Sequence, residues 1–95
     1  MNKGVLIYSE FSDVIDEAVP LLEKSGYIVS SASNTDGAID LITSSEYGYF
    51  LVDDAVDTVT LKYLISESRR CQPDAPVVPF NAVESILTRF RHSRA

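Results

Sequence analysis

Short apolar runs alternate with amphipathic segments along the chain, and this alternation limits its fold more than any other feature. Each run has the continuity of a β-strand that is covered on both faces. The four runs are Gly4-Val5-Leu6-Ile7-Tyr8, Tyr27-Ile28-Val29, Tyr49-Phe50-Leu51-Val52 and Val77-Val78-Pro79-Phe80. Strands separated by helices pair in parallel through right-handed crossovers, so the pattern predicts an α/β fold of the order βαβαβαβα. The 95 residues have room for one such domain, residues 1–95.

The segments between the first three runs carry the signals of helix ends. Ser12 is placed to cap the first helix, Pro20 to kink it near its middle, and Gly26 to end it. Either Asn34 or Thr35 can cap the second helix. The side chains of that helix expected to face the sheet are Ala38, Ile39, Leu41 and Ile42.

The second half of the chain carries similar signals. A third helix can begin at Asp57 or Thr58 and should end near Arg69-Arg70-Cys71. Its residues expected to face the sheet are Val59, Leu61, Leu64 and Ile65. Asn81 and Glu84 have the spacing of a capping box for a last helix, whose apolar positions are Val83, Ile86, Leu87 and Phe90. Pro79 lacks a backbone donor, so the fourth strand is expected at an edge of the sheet.

Polar residues follow three of the apolar runs. They are Ser9-Glu10, Asp53-Asp54 and Asn81. The carboxyl edge of an open parallel sheet is where ligands and chemistry gather, so the sequence predicts an acidic site at this edge. Two of these acids have a purely structural alternative. Asp53 can be a solvated acid in a strand-to-helix loop, and Glu10 can stabilise the first helix through its dipole.

Composition narrows the classes of function. The net charge of −6 disfavours nucleic acid as a partner. The tail Arg89-Phe90-Arg91-His92-Ser93-Arg94 is better explained by cations at a helix end, and His92 has no partner at ligand spacing. A single cysteine, Cys71, cannot form an internal disulfide, which favours the cytoplasm. The N-terminal apolar run is too short for a signal peptide or a spanning helix, so no membrane partner is expected.

Taken together, these elements resemble the receiver domain of bacterial two-component response regulators, which has the flavodoxin-like fold of chemotaxis regulators. The likeness spans residues 3 to about 92. It is carried by Gly4-Val5-Leu6-Ile7-Tyr8-Ser9-Glu10, Asp36-Gly37-Ala38-Ile39-Asp40-Leu41-Ile42, Tyr47-Gly48-Tyr49-Phe50-Leu51-Val52-Asp53 and Ala75-Pro76-Val77-Val78-Pro79-Phe80-Asn81-Ala82. The resemblance implies a three-layer sandwich around a parallel four-stranded sheet of order 2-1-3-4, without the family's fifth strand and helix.

The resemblance also assigns roles to the polar residues. In that family, two acids after the first strand and the aspartate ending the third hold magnesium, and this aspartate accepts a phosphoryl group from a histidine kinase. Asp53 matches the acceptor, and Ser9 and Glu10 match the acid pair, so a hydroxyl replaces one carboxylate. Asn81 matches the family's switch threonine or serine, although a helix cap explains it better. The lysine of the fifth strand has no counterpart.

These departures shape the functional expectation. Glu10 and Asp53 suffice for weak Mg²⁺ binding, because this ion commonly takes only one or two carboxylates, and Asp54 is a further candidate. Phosphoryl transfer asks for more preorganised cations and donors. We therefore expect a signalling domain, not an enzyme, that binds a protein partner or a second copy through the exposed final strand and last helix. Phosphorylation should be reduced or lost. The alternative is a working phosphoacceptor, modified on Asp53 by a histidine kinase with Mg²⁺ held by Glu10.

Overall fold

The computed structural model describes residues 4–81 of the chain. In this range four strands and three helices alternate in the predicted order. They are β1 (Gly4–Tyr8), α1 (Ser12–Lys24), β2 (Ile28–Ala32), α2 (Thr35–Ser44), β3 (Tyr49–Asp53), α3 (Thr58–Cys71) and β4 (Val77–Phe80). None of these helices is long and apolar enough to cross a lipid bilayer. Three predictions concern residues outside the described range. They are the last helix with the Glu84 of its capping box, the basic tail and His92.

The strands form one parallel sheet in the order β2-β1-β3-β4, which confirms the order implied by the resemblance. Among residues 4–81, β4 has a neighbouring strand only on the β3 side, where Pro79 lies opposite Val52. An edge position tolerates proline because its missing N–H need not reach a partner strand. The edge position that Pro79 predicted for β4 is therefore confirmed.

Helices cover both faces of the sheet. On one face, Leu6 and Phe50 belong to a buried cluster with Leu64 of α3 and residues of α2. On the other face, Ile7 and Leu51 belong to a second cluster, to which α1 contributes Ala18 and Leu22. Neighbouring residues of a strand point to opposite faces, so a strand buried on both sides has to be continuously apolar. This packing gives the predicted three-layer sandwich, and the central strands β1 and β3 place their carboxyl ends side by side.

The start of α1 differs from the prediction. Ser12 is the first helical residue and not the cap, and Phe11 occupies the N-cap position without a side-chain hydrogen bond. The N–H of Phe11 instead donates to Ser9 Oγ at 3.1 Å. The turn into the helix is therefore closed from the strand side by Ser9. This allows the helix to begin at Ser12 itself.

The end of α1 follows the prediction for glycine. Gly26 has a φ of +94°, the left-handed region that only glycine adopts at no steric cost. The N–H of Gly26 donates to the Glu23 carbonyl at 3.0 Å, and that of Tyr27 to the Leu22 carbonyl at 3.2 Å. This pair of bonds is the Schellman motif, which satisfies carbonyls left over at a helix end. Pro20 lies inside the helix, and the kink expected there stays a prediction.

β2 is longer than its apolar run. It begins at Ile28, one residue later than predicted, and continues through Ser30 and Ser31 to Ala32. It pairs with β1 along its whole length, from Gly4 opposite Ile28 to Tyr8 opposite Ala32. The serines are compatible with this strand because β2 lies at the other edge of the described sheet, so its outer positions need not be apolar.

The structure selects one cap for each of the next two helices. Asn34 caps α2, because its Oδ1 accepts a hydrogen bond from the Gly37 N–H at 2.8 Å. Asp57 caps α3, because its Oδ2 accepts from the Thr60 N–H at 3.3 Å. Hydrogen bonds from the side chain and backbone of Thr60 lower the pKa of Asp57 below its ordinary value of 3.8.

The prediction that Val59 faces the sheet is wrong, because its side chain is 78% exposed. Leu64 is fully buried, and Leu61 packs partly buried against the same cluster. The buried stripe of α3 continues from these residues at helical spacing to Ser68 and Cys71. Side chains share a helix face at intervals of about three or four residues. Val59 precedes Leu61 by a shorter interval and so lies off this stripe.

Candidate functional site at the carboxyl edge of the sheet

Asp53 and Ser9 meet where the two central strands end. Asp53 is the last residue of β3, and Ser9 directly follows β1. The hydroxyl of Ser9 donates to Asp53 Oδ2 at 2.8 Å, a buried contact between residues 44 positions apart in the chain. Ser9 is fully buried, and Asp53 is 7% exposed. The acid that the resemblance places at the acceptor position is therefore already held by the residue that replaces one of the family's acids.

The other side of Asp53 is bound by its own turn. Asp53 Oδ1 accepts a hydrogen bond from the Ala55 N–H at 3.0 Å, and the Asp53 carbonyl accepts from the Val56 N–H at 3.1 Å. Both carboxylate oxygens thus have a donor. These bonds close the β3–α3 turn around the carboxylate and fix its orientation.

Glu10 has a different neighbour. Its Oε2 accepts a hydrogen bond from the Tyr8 hydroxyl at 3.4 Å, which is long for this type of bond. Burial raises the pKa of the Tyr8 phenol, the hydrogen bond with Thr35 lowers it, and the negative charge of Glu10 raises it again. Tyr8 therefore stays a neutral donor at physiological pH. Glu10 is itself solvent-exposed.

The remaining predicted residues lie at the same edge and are exposed. Asp54 follows Asp53 and donates its backbone N–H to the Phe80 carbonyl at 2.8 Å, which joins the ends of β3 and β4. Asn81 follows β4 and is exposed. All the predicted residues therefore lie at one end of the sheet. The side-chain contacts between them join Ser9 to Asp53, whereas Glu10 contacts Tyr8.

The donor set does not make a complete metal centre. Among residues 4–81 there is no group of three His, Cys, Asp or Glu side chains that could hold a metal ion. Glu10, Asp53 and Asp54 therefore do not converge as three ligands. Where the resemblance implies a second acid after β1, the buried residue is Ser9, a neutral hydroxyl. The residues present do not fit the magnesium site of the resembling family.

Three contributors to the site were missed in the sequence. The backbone N–H groups of Phe11 and Ala55 hold Ser9 and Asp53, and no residue type indicates such a contact. The third is Tyr8, for which the sequence did contain a signal. A tyrosine that ends an apolar strand brings a hydroxyl to the edge of the sheet. Ser9 itself was a candidate, but only the structure shows that it contacts the acid.

A large open recess lies elsewhere on the described residues. It has a volume of about 1100 Å³ and is lined by loops that precede β2, β3 and β4, including Tyr27, Tyr47 and Pro76. It therefore lies at the amino edge of the sheet and contains none of the predicted site residues. This recess and the predicted site residues therefore lie at opposite ends of the sheet.

The parallel sheet in the order 2-1-3-4 is that of the flavodoxin-like α/β fold, and Asp53 ends its third strand. No protein-family model and no curated protein matches this sequence. Solved structures do match. One is a response regulator from Burkholderia pseudomallei, described with a phosphorylated aspartic acid, calcium and citrate, at 26% identity and a TM-score of 0.74. The match covers 82% of this chain but only 46% of that one.

Two further structures share the fold. A CheY-like response regulator receiver domain protein from Methanospirillum hungatei has 15% identity and a TM-score of 0.77, with 98% of this chain and 94% of that chain covered. An adenylate cyclase from Rhodopirellula baltica has 14% identity and a TM-score of 0.75, with 99% and 70% covered. At these identities the last two likenesses concern the fold alone. The predicted resemblance is confirmed: this chain has the fold of response regulator receiver domains.

Proposed function

We propose that this chain is a receiver-like signalling domain that acts by binding another protein, with phosphorylation of Asp53 reduced or lost. The observation that carries the proposal is the buried hydrogen bond from Ser9 to Asp53 Oδ2 at 2.8 Å. The confirmed likeness to receiver domains supports the signalling class. A role in signalling, and not in catalysis, follows from this class, and the lone Cys71 agrees with a cytoplasmic protein.

The chemistry at Asp53 supports the loss of phosphorylation. Phosphoryl transfer requires preorganised positive charge around the oxygens on which negative charge develops. At this edge, Asp53 instead receives neutral donors on both oxygens, the Ser9 hydroxyl and the Ala55 N–H. Neutral donors stabilise the resting carboxylate, but they supply little of the charge needed during transfer. Both effects slow attack by Asp53 on a phosphoryl donor.

The surface proposed for binding includes β4. Pro79 is exposed, and Val77 and Val78 are partly buried. A proline in this edge strand hinders strand addition by another chain. The partner, which is another protein or a second copy of this chain, should therefore pack side chains against β4 and against the segment that follows it.

Acetyl phosphate tests the state of Asp53. The protein is incubated with acetyl phosphate and Mg²⁺, and its intact mass is measured against that of Asp53→Asn treated in the same way. We expect no mass gain in either protein. A gain of one phosphoryl group that disappears in Asp53→Asn would contradict the loss of phosphorylation.

Sedimentation velocity tests association. The native protein is measured over a range of concentrations beside Pro79→Glu, which adds a charge to β4, and Pro73→Glu, which adds the same charge to an exposed loop residue. If the domain self-associates as proposed, Pro79→Glu weakens association at least tenfold and Pro73→Glu leaves it unchanged. A monomer at every concentration that also binds no apolar dye would count against the proposed surface.

The alternative function is a working phosphoacceptor on Asp53. It is favoured by the match to the Burkholderia response regulator, whose description includes a phosphorylated aspartic acid. The acetyl phosphate experiment separates the two functions, because only the alternative predicts a modification that depends on Asp53.

A further inference from the structure

The Ser9 hydroxyl lies in the middle of a hydrogen-bonded chain that joins two turns. The Phe11 N–H donates to Ser9 Oγ at 3.1 Å, and the hydroxyl proton of Ser9 is donated to Asp53 Oδ2 at 2.8 Å. The Ala55 N–H completes the chain at Asp53 Oδ1, at 3.0 Å. The chain runs from the β1–α1 turn to the β3–α3 turn. In the family that this chain resembles, acids of the corresponding turns hold a metal ion.

We propose that Ser9 takes the place of a divalent cation at this edge: its hydroxyl holds the Asp53 carboxylate and ties the two turns together without metal. The edge is then metal-independent, and its conformation does not respond to Mg²⁺. Ser9 acts as a positioning residue. This inference deepens the proposed function, on which it rests for the reduced or lost phosphorylation of Asp53.

The chemistry of the donor set supports this substitution. Ser9 is fully buried, and its single proton is already donated to Asp53. A hydroxyl carries no negative charge, so it attracts a cation much less than the carboxylate it replaces. Mg²⁺ needs near-octahedral oxygen ligands at about 2.0–2.1 Å and gives up its waters reluctantly. Each oxygen of Asp53 already accepts a hydrogen bond from a neutral donor, and Ser9 adds no negative charge that would draw the ion to this edge.

Glu10 does not compensate for the missing acid. Its carboxylate accepts from the Tyr8 hydroxyl, although at 3.4 Å this bond is weak. Tyr8 belongs to the cluster on the α2 and α3 face, and the pKa of its phenol also responds to Thr35 and Asp57 on that side. The neighbouring hydroxyls of Tyr8 and Ser9 thus engage different carboxylates. Restoring an acid at position 9 is the change that should recreate a cation site.

Thermal unfolding with and without Mg²⁺ tests the inference. The melting temperatures of the native protein, Ser9→Ala and Ser9→Asp are compared in EDTA and in 10 mM MgCl₂, with ionic strength matched by NaCl. The native protein and Ser9→Ala should shift by less than 1 °C. In EDTA, Ser9→Asp should melt below the native protein, because two carboxylates then face each other. Mg²⁺ should raise its melting temperature by about 4 °C or more.

Two outcomes overturn the inference. One is a shift of the native protein as large as that of Ser9→Asp, because the hydroxyl would then not exclude the ion. The other is a folded Ser9→Asp that does not respond to Mg²⁺, because Ser9 would then not be the residue that decides metal binding.

A second measurement covers the case in which Ser9→Asp fails to fold. The native protein is titrated with Mn²⁺, and broadening of the backbone amide signals is followed by NMR. The inference predicts no selective broadening of the Phe11 and Ala55 signals at an equimolar ion concentration. Selective loss of both signals would overturn it. Neither metal measurement depends on the partner, so a failure of the sedimentation test would contradict the binding surface and leave this inference standing.

Discussion

The side chain of Gln72 reaches from the end of α3 to the loop before β3, where its Oε1 accepts a hydrogen bond from the Tyr47 N–H at 3.0 Å. Its Nε2 donates to the Ile42 carbonyl at 3.3 Å and also to the Ser45 carbonyl. One glutamine thus satisfies three backbone groups, one in the last turns of α2 and two in the segment that connects α2 to β3. It holds the start of the strand that ends in Asp53.

Removing this side chain should destabilise the fold. Gln72→Ala leaves the three backbone groups without their partner, and we expect a loss of about 1–3 kcal/mol in the free energy of unfolding. Gln72→Glu should lose as much or more, because it presents oxygens to the two carbonyls. Urea unfolding measures both variants, with Asp74→Ala in the neighbouring exposed loop as the control. Equal stabilities for Gln72→Ala and the control would refute the role of Gln72.

The hydrogen bonds to the Asp53 carboxylate should stabilise the folded protein. Asp53→Ala removes the acceptor for Ser9 and Ala55, so we expect a loss of about 1–3 kcal/mol. Asp53→Asn keeps one carbonyl oxygen in this place and should lose clearly less. Urea unfolding compares the two variants with the native protein. If Asp53→Ala unfolds at the native urea concentration, the hydrogen-bonded chain does not stabilise the edge.

The cap of α3 should make stability depend on pH on the acid side. The pKa of Asp57 in the folded protein is lowered from 3.8, chiefly by the Thr60 side chain. A lowered folded pKa means that this contribution is present above the unfolded value and is lost as the pH falls through the folded one. Asp57→Asn keeps a cap that does not titrate. Between pH 5.5 and pH 3, the urea midpoint of the native protein should therefore fall more than that of Asp57→Asn. A difference independent of pH would contradict this assignment.

Truncation of two residues of α3 should change stability to very different extents. Leu64 is fully buried, so Leu64→Ala should cost about 2–5 kcal/mol of unfolding free energy. Val59 is 78% exposed, and Val59→Ala should change stability by no more than about 0.5 kcal/mol. Both values come from urea unfolding at neutral pH. A large loss for Val59→Ala would mean that the face of α3 described here is not the one packed on the sheet.

The sequence alone determined the elements and much of their arrangement. The central strands β1 and β3 could be predicted, because a strand buried on both faces requires a continuous apolar run. Such a run is visible in the local sequence. Pro79 placed β4 at an edge, and Gly26 ended α1, because each residue limits its own backbone. The fold class followed from the order of these elements. Asp53 was placed at the carboxyl edge by its position at the end of the third apolar run.

Only the tertiary structure shows which side chains contact the acids at this edge. Ser9 and Asp53 are 44 positions apart, and their contact depends on the register of β1 against β3, which no local pattern contains. The cap of α1 was misjudged for the same reason, because Ser9 after β1 closes the turn into the helix. Val59 was misjudged for a local reason, because it lies off the helical stripe formed by Leu61 and Leu64. The resemblance to receiver domains implied that the hydroxyl of Ser9 replaces an acid. Only the packed turns showed that this hydroxyl binds the remaining acid.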